Sequence, residues 1–338
     1  TLKIINSLFK VQSASELSGS FMSLRPINNE FVLNITALNS ERLLDAIKNS
    51  NNYSYESRKG KLALWANANI AHNTISNTEA ILGSSVDTQT YVAGASTKYN
   101  NFKIGAFLGY ANANFSSSYY TGKAPLYGGG LYSELSFSNN YFVKLNGVIT
   151  STQFKGIRKQ YFMDDNADFK FNGNNAELLL NFGKTYIMNS GFLTPYISAS
   201  VGYLMIDSYK ETGGSASLNV DGFTAPYYAT GIGVEYAKQI SIFGGKSSLI
   251  PKVGAAYTFK FYNLKDTSAS FNKVNGIDNI LNHIDYSSNN YDHNSLSINA
   301  GLNYLINIHS SVSSNFIAEL INKDITGYTF FVGYKYSF

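Results

Sequence analysis

The sequence contains no cysteine, little proline and few charged residues. Of its 338 residues, five are Pro and 14% are Asp, Glu, Lys or Arg, whereas about 25% is usual for a soluble domain. The missing thiols exclude a disulfide framework and a thiolate metal site. So low a charge is unusual for a cytosolic enzyme of this length.

Long apolar runs and basic clusters are also missing. No run approaches the roughly 18 to 20 apolar residues that a membrane helix needs. The sequence has no cluster of Lys and Arg that could bind along a phosphate backbone, so we expect no nucleic-acid partner. The four His are scattered and no glycine-rich loop joins a strand to a helix, so we expect neither a metal nor another cofactor.

Aromatic residues, by contrast, are abundant. The chain has 26 Tyr, 23 Phe and 28 Gly, with a net charge of only +4. A β-barrel in an outer membrane needs an apolar outside and a polar inside, which together average to neutral. The composition favours such a barrel.

From residue 61 onward, apolar and polar residues alternate with a period of two, as in β-strands. In the stretch 249–261, for example, Tyr257 and Phe259 share one face while Lys252 and Lys260 share the other. Many of these stretches reach the roughly 9 to 11 residues that cross a bilayer at a tilt. Twelve strands are predicted, near 61–72, 86–99, 102–113, 125–138, 141–154, 170–187, 192–207, 223–239, 247–262, 292–308, 311–320 and 328–338.

The connections between these stretches alternate between short and long. Outer-membrane barrels pair short periplasmic turns with longer external loops. A soluble β-sandwich also alternates, but its buried faces favour Val, Ile and Leu and its outer faces carry charge. Here the polar face is mostly Asn, Ser, Thr and Gly. We therefore predict an all-β membrane fold, a 12-stranded antiparallel transmembrane β-barrel.

A short helix is predicted before the strands, roughly at 38–50, with Asn39 or Ser40 as its cap. The helix is too polar for lipid and too short to be stable alone in water, so a polar barrel lumen is a suitable host. The predicted division of the chain is an unassigned passenger tail or linker at 1–35, a lumen-spanning helix and linker at 36–56, and the barrel at 57–338.

Alternation also predicts which polar residues face the lumen, where we expect small or hydrogen-bonding side chains. Acidic residues of the helix are expected to pair with inward lysines, and the simpler interpretation is that these residues line the lumen without individual roles. The candidates are Glu41, Arg42, Asp45 and Lys48 on the helix, and Lys144, Asn146, Lys252 and Lys260 on the wall.

The last eleven residues place an apolar stripe on one face of the final strand. Tyr328, Phe330 and Val332 begin the stripe, with Thr329 and Lys335 on the opposite face. Tyr rings favour the membrane interface. An unpaired strand of this kind is an aggregation hazard, so the last strand is expected to pair with the first and close the barrel.

The sequence resembles the translocator domain of autotransporters over about residues 36–338. The resemblance rests on "LALWANANIAHN" around Trp65, on "GAFLGY" at 105–110, and on "GFLTPYISASVGYLMIDSY" with Pro195 and Tyr203. It implies a monomer in outer-membrane lipid that exports its own passenger domain to the cell surface. It also implies that the barrel-assembly machinery recognises the C-terminal residues Tyr334, Tyr336 and Phe338.

Two other functions compete with export. A stand-alone porin or adhesin would have the same barrel but no helix in its lumen. An outer-membrane lipid hydrolase would use a His-x-Ser pair on one strand face, and the sequence offers His293 with Ser295 and His309 with Ser311.

Some autotransporters release the passenger by attack of an Asn side chain on its own backbone inside the lumen. The candidates here are Asn49, Asn51 and Asn52. The alternative is that these Asn residues form the turn from helix to strand. No other catalytic residues are predicted.

Overall fold

The structure is a computed structural model of the full chain. The residues it describes are 6, 10–27, 29–51, 62–76, 83–160, 163–189, 191–263, 267–271, 283–286, 291–320 and 325–338. Two helices come first, α1 (Ala14–Leu24) and α2 (Asn29–Asn51). Neither these nor any other helix within the described ranges is long and apolar enough to cross a membrane.

Twelve long strands follow the helices and form one sheet. Their number and alternation match the prediction, and several of them extend four to six residues farther at one end. They are β1 (Leu62–Ile75), β2 (Ser84–Tyr99), β3 (Phe102–Ser117), β4 (Tyr120–Ser136), β5 (Tyr141–Gln160), β6 (Asp165–Lys184), β8 (Gly191–Ile206), β11 (Phe223–Ala237), β13 (Ser247–Tyr262), β16 (Tyr291–Leu305), β17 (Ser310–Glu319) and β18 (Ile325–Ser337).

Six short strands lie in the connections between the long ones. β7 and β12 extend two hairpins, whereas β9, β10, β14 and β15 form a separate four-stranded sheet in the order β15-β14-β10-β9. The short strands are β7 (Tyr186–Met188), β9 (Tyr209–Lys210), β10 (Leu218–Val220), β12 (Ile240–Ile242), β14 (Thr267–Phe271) and β15 (His283–Tyr286).

The long strands close into a barrel. Each pairs antiparallel with the next, and β18 returns to pair with β1 from Ala63↔Ser337 to Ile75↔Ile325. Closure removes the sheet edges, so the backbone groups of these strands bond to one another, as a bilayer requires. The predicted 12-stranded closed barrel is confirmed.

The two faces of each strand are as the alternation predicts. In β18, Phe330 is exposed on the outside while its neighbour Phe331 is buried inside. In β5, Leu145 and Ile149 face outward and Asn146 faces inward. The outer surface of the barrel is therefore a continuous band of apolar side chains.

The two ends of the barrel differ in their connections. Short turns join the strands at one end, and Asn100 and Asn139 occupy their left-handed positions at φ of 53° and 63°, a conformation that Asn tolerates better than most residues. The other end carries the longer connections and the four-stranded sheet. We call these the short-turn end and the long-loop end.

The helix inside the barrel is longer than the sequence indicated. α2 begins at Asn29 rather than near residue 38, and Asn39 and Ser40 lie in its interior, so the predicted cap is wrong. The Ser40 hydroxyl donates to the Thr36 carbonyl at 3.0 Å. The added turns contain the apolar residues Phe31, Val32, Leu33 and Ile35, whose burial inside the barrel stabilises a helix that propensity alone does not.

Candidate functional site

The lumen contains α2, which runs from the long-loop end to the short-turn end. Near its start, the Phe31 ring packs edge-on against Phe115, at the far end of β3, with centroids 5.3 Å apart. Near its end, the Asn49 side-chain oxygen accepts a hydrogen bond from Lys252 Nζ at 3.4 Å, close to the start of β13. The helix therefore spans the lumen lengthwise.

The long-loop half of the lumen is filled by apolar side chains. The expectation that lumen residues are small or hydrogen-bonding is wrong here, because this part of the wall faces the apolar start of α2 rather than water. We call this cluster the apolar plug. It includes Ile27, Phe31, Val32, Leu33 and Ile35 before and in α2, and Phe115, Phe154, Phe169, Phe171 and Leu204 on the wall.

The four-stranded sheet β9–β10–β14–β15, which we call the cap, covers the plug at the long-loop end. Tyr209 of β9 stacks on Phe171 with centroids 4.4 Å apart. Leu218, Val220 and Ala269 of the cap are buried in the same cluster. Burial raises the pKa of the Tyr209 hydroxyl well above its ordinary value, so the ring remains neutral.

A buried ion pair fastens α1 and the cap to the barrel wall. Arg158 of β5 donates to both carboxylate oxygens of Glu211, at 2.8 and 2.5 Å. The same guanidinium donates to the backbone carbonyls of Ser23 at the end of α1 (2.5 Å) and Ala216 (2.7 Å). Both charged side chains are almost fully buried. Sequence reasoning missed this pair because its two residues are far apart along the chain and no local pattern links them.

The short-turn half of the lumen has two different sides. On one side, Leu43, Leu44 and Ile47 of α2 pack against a second apolar cluster that includes Trp65 and Phe107. On the other, a cavity of about 270 Å³ with many polar side chains lies between helix and wall. Seven of the eight predicted lumen residues line this cavity. They are Glu41, Asp45, Lys48, Lys144, Asn146, Lys252 and Lys260.

Ion pairs connect α2 to this half of the wall. Glu41 accepts a hydrogen bond from Lys260 of β13, as expected for an acidic helix residue and an inward lysine. The nearly buried Arg42 bonds to Glu319 of β17 at 3.4 Å. Asp45 differs from expectation because it pairs within its own helix, with Lys48 at 3.2 Å and Arg42 at 3.6 Å.

A network of hydrogen-bonded side chains joins α2 to the barrel wall at the level where the two halves of the lumen meet. The Asn175 amide donates to the Ser40 hydroxyl at 3.0 Å and to the Tyr227 hydroxyl at 3.1 Å. Ser40 also bonds to Thr150 at 3.1 Å, and Tyr227 donates to Glu177 at 3.0 Å. These contacts fix the middle of α2 against three strands.

Two glycines let the helix approach the wall closely. Gly109 of β3 and Gly128 of β4 are paired across the two strands. A Cβ atom at either position would stand 2.5 or 2.8 Å from a methyl group of Leu43. The Leu43 side chain therefore occupies a recess in the wall, the Leu43 seat, which exists only because both wall residues are glycine.

The two His-x-Ser pairs do not form a hydrolase site on the outer surface within the described residues. Ser295 lines the lumen cavity rather than the outer surface, and the His293 side chain lies outside the described residues. His309 donates from Nδ1 to the Ser337 carbonyl at 2.7 Å and stacks on Tyr336. Within the described part of the chain, no group of His, Asp and Glu side chains is arranged to hold a metal ion.

The Asn candidates and the C-terminal aromatics complete the predicted set. Asn49 and Asn51 belong to α2, so they do not form a turn, and Asn52 is outside the described residues. Tyr334, Tyr336 and Phe338 are exposed on the outer face of the last strand. Their position allows contact with surrounding lipid.

A closed barrel of twelve antiparallel strands with an apolar outer face and a helix through its lumen belongs to the class of transmembrane β-barrels. A profile described as the autotransporter beta-domain matches residues 64–316, which is most of the chain. The chain belongs to this family, and the family supports an outer-membrane translocator role.

Solved structures with the same fold include three autotransporter domains. The translocator domain of NalP from Neisseria meningitidis has 15% identity and a TM-score of 0.72, covering 92% of this chain and 99% of its own. The beta domain of the Bordetella autotransporter BrkA has 13% identity and a TM-score of 0.62, covering 83% and 100%. The transport unit of AIDA-I from Escherichia coli has 13% identity and a TM-score of 0.56, covering 93% and 99%. A comparison with curated proteins finds no match.

Proposed function

We propose that this chain inserts in the outer membrane and exports its own N-terminal passenger to the cell surface, after which α2 stays in the lumen. The observation that carries the proposal is the direction of α2. Its first residue lies among the long connections and its last residue lies near the short turns, where the chain leads into β1. Chain N-terminal to the helix is therefore on the long-loop side, which family precedent makes external.

The direct test of export places a reporter ahead of the barrel. A signal sequence and an epitope-tagged, unstructured peptide are fused before Thr1 and expressed in a Gram-negative host. We expect protease added to intact cells to remove the epitope. An epitope that stays protected while the barrel is folded in the outer membrane would overturn the proposal.

A deletion in the same cells tests whether the assembly machinery recognises the C-terminal residues. Deletion of Phe338, an exposed outward residue, removes a group that the assembly machinery is proposed to bind. We expect less folded barrel in the outer membrane and proportionately less surface epitope. Substitution of the equally outward Leu108 by Ala should leave the amount of barrel unchanged.

The porin alternative predicts a different conductance. With the apolar plug and α2 in place, the barrel is expected to conduct poorly in a planar bilayer. A large, steady conductance from the intact chain would favour a stand-alone porin. Self-cleavage is tested in the export assay by the mass of the surface product, since cleavage at Asn49, Asn51 or Asn52 would release the passenger into the medium.

A further inference from the structure

The outer wall of the barrel carries a groove of about 620 Å³ that crosses β6, β8, β11, β13 and β16. Its floor is made by small outward residues that are neighbours across the strands. Pro195 lies opposite Val234, and Val234 lies opposite Ala255. Since neighbouring strands are about 4.8 Å apart, the floor from β8 to β13 is about 10 Å long.

Bulky side chains bound this floor on its long-loop side. Phe182 lies opposite Ile197, Ile197 opposite Ile232, Ile232 opposite Tyr257, and Tyr257 opposite Leu296. A row of large residues beside a row of small ones makes a ledge rather than the even surface found where outward residues are of one size. The ledge fits an extended apolar chain.

A cation stands at one end of the groove. Lys184, the last residue of β6, faces outward with its Nζ 4.6 Å from the ring centre of Tyr141 and 5.0 Å from that of Tyr186. Nζ also lies 3.5 Å from the Tyr141 hydroxyl. Within the described residues, no carboxylate forms an ion pair with Lys184, so its charge is available to an anion.

The groove also runs in the direction that a membrane lipid requires. Tyr141 and Lys184 are at the short-turn rim, whereas Tyr257 lies deep within β13 and Leu296 lies deep within β16. Strands of membrane barrels tilt by roughly 35 to 45°, so a groove that crosses them climbs from the rim towards the bilayer centre. The cation is at headgroup depth and the apolar ledge is at acyl-chain depth.

We propose that this groove binds one anionic glycerophospholipid of the periplasmic leaflet, with its phosphate at Lys184 and an acyl chain on the ledge. The proposal rests on the outer-membrane insertion proposed above, with the short-turn end in the periplasm. Lysine donates charge-assisted hydrogen bonds to phosphate, and Tyr141 and Tyr186 hold the ammonium at the interface.

Lipid retention on the delipidated full chain in detergent tests the headgroup contact. Native mass spectrometry would count phosphatidylglycerol and, separately, phosphatidylcholine bound to the folded barrel. We expect one phosphatidylglycerol to be retained and Lys184→Gln to weaken its binding about tenfold. The control Lys123→Gln removes an outward lysine of β4 at the long-loop end and should change nothing. Equal retention by wild type and Lys184→Gln would overturn the proposal.

A second variant tests the acyl-chain contact. Ala255→Phe fills the floor of the groove, and we expect it to weaken phosphatidylglycerol binding as well. Ala93→Phe, at an outward position of β2, adds the same bulk elsewhere and should not. Excess inorganic phosphate should fail to displace the lipid, and displacement by phosphate alone would overturn the role of the ledge.

The export assay separates this proposal from the proposed function. We expect Lys184→Gln and Ala255→Phe to remain folded and to present the reporter epitope. Wild-type protein that exports but retains no phosphatidylglycerol overturns only the lipid site. Protein that retains the lipid but never exposes the epitope overturns only the export function.

Discussion

The two halves of the lumen differ in chemistry although the same helix and the same strands pass through both. The long-loop half is a dry cluster of Phe, Ile and Leu beneath the cap. The short-turn half has a polar cavity with ion pairs to α2 on one side and a smaller apolar cluster around Leu43 and Ile47 on the other. The difference teaches that alternation determines which residues face inward, whereas the identity of those residues determines whether the space is filled or hydrated.

The halves also hold the helix by different physical means. In the apolar plug the helix is held by burial, which is non-directional and grows with the apolar area removed from water. In the short-turn half a smaller apolar cluster, Leu43, Leu44 and Ile47 with Trp65 and Phe107, holds one side of the helix. A few ion pairs hold the other side, and those that solvent reaches contribute little. Substitutions in the two halves should therefore have unequal effects.

The largest effect is expected from Phe154→Ala. This ring is fully buried in the plug and stacks on Phe171 with centroids 4.9 Å apart, so truncation should cost about 3 to 5 kcal/mol of unfolding free energy. Urea unfolding of the refolded barrel in detergent measures the loss. Phe142→Ala, inward but at the polar cavity, should lose less than half as much, and equal losses would contradict the distinction between the halves.

The next largest effect is expected from Glu211→Ala. The substitution leaves Arg158 buried without its carboxylate partner, which costs about 3 kcal/mol. Hydrogen exchange in the cap and at the end of α1 should rise before exchange in the barrel strands. The double variant Arg158→Met/Glu211→Leu removes the unpaired charge, but it leaves the Ser23 and Ala216 carbonyls without their donor. It should therefore restore part of the protection, and a double variant as unprotected as Glu211→Ala would refute the argument.

A smaller effect on stability, with a clear effect on the pore, is expected from Gly128→Val. The new side chain displaces Leu43 from its seat and overpacks the contact by about 1 to 3 kcal/mol. The displaced helix should raise the bilayer conductance. Gly147→Val is the matched control, because a Cβ there meets only Leu178 at 3.7 Å. An equal rise in conductance in that variant would show that displacement of Leu43 is not the cause.

The smallest effect is expected from Lys144→Gln at the polar cavity. Lys144 pairs with Glu134 at 3.6 Å and is about one third exposed, so screening by solvent leaves a coupling of about 0.5 kcal/mol. A double-mutant cycle with Glu134→Gln measures it, and added salt should reduce it. A coupling as large as the loss in Phe154→Ala would show that the two halves hold the structure by the same means.

Much of the fold was predictable because the membrane imposes a simple rule on each strand. Outward residues must be apolar at every second position, so Tyr257, Phe330 and Ile149 reveal the strands without knowledge of their partners. The closing strand follows from the same rule. The four wall residues proposed from alternation, Lys144, Asn146, Lys252 and Lys260, also line the cavity.

The remainder depends on contacts between distant segments. The start of α2 was not predictable because Phe31, Val32 and Ile35 form a helix only when the wall buries them. The cap was missed for a related reason, since its short strands pair across two separate connections. Inward Phe154 and Phe171 were the available signal that one half of the lumen is apolar.

The covalent continuity between α2 and β1 has a consequence for stoichiometry. On the proposed function, the segment that seals the lumen is the tail of the cargo's own polypeptide, so a barrel that has delivered its cargo is occupied permanently. Such a protein does not turn over. The number of molecules displayed on a cell would then be set by synthesis and assembly, one barrel for each, and never by the speed of transport.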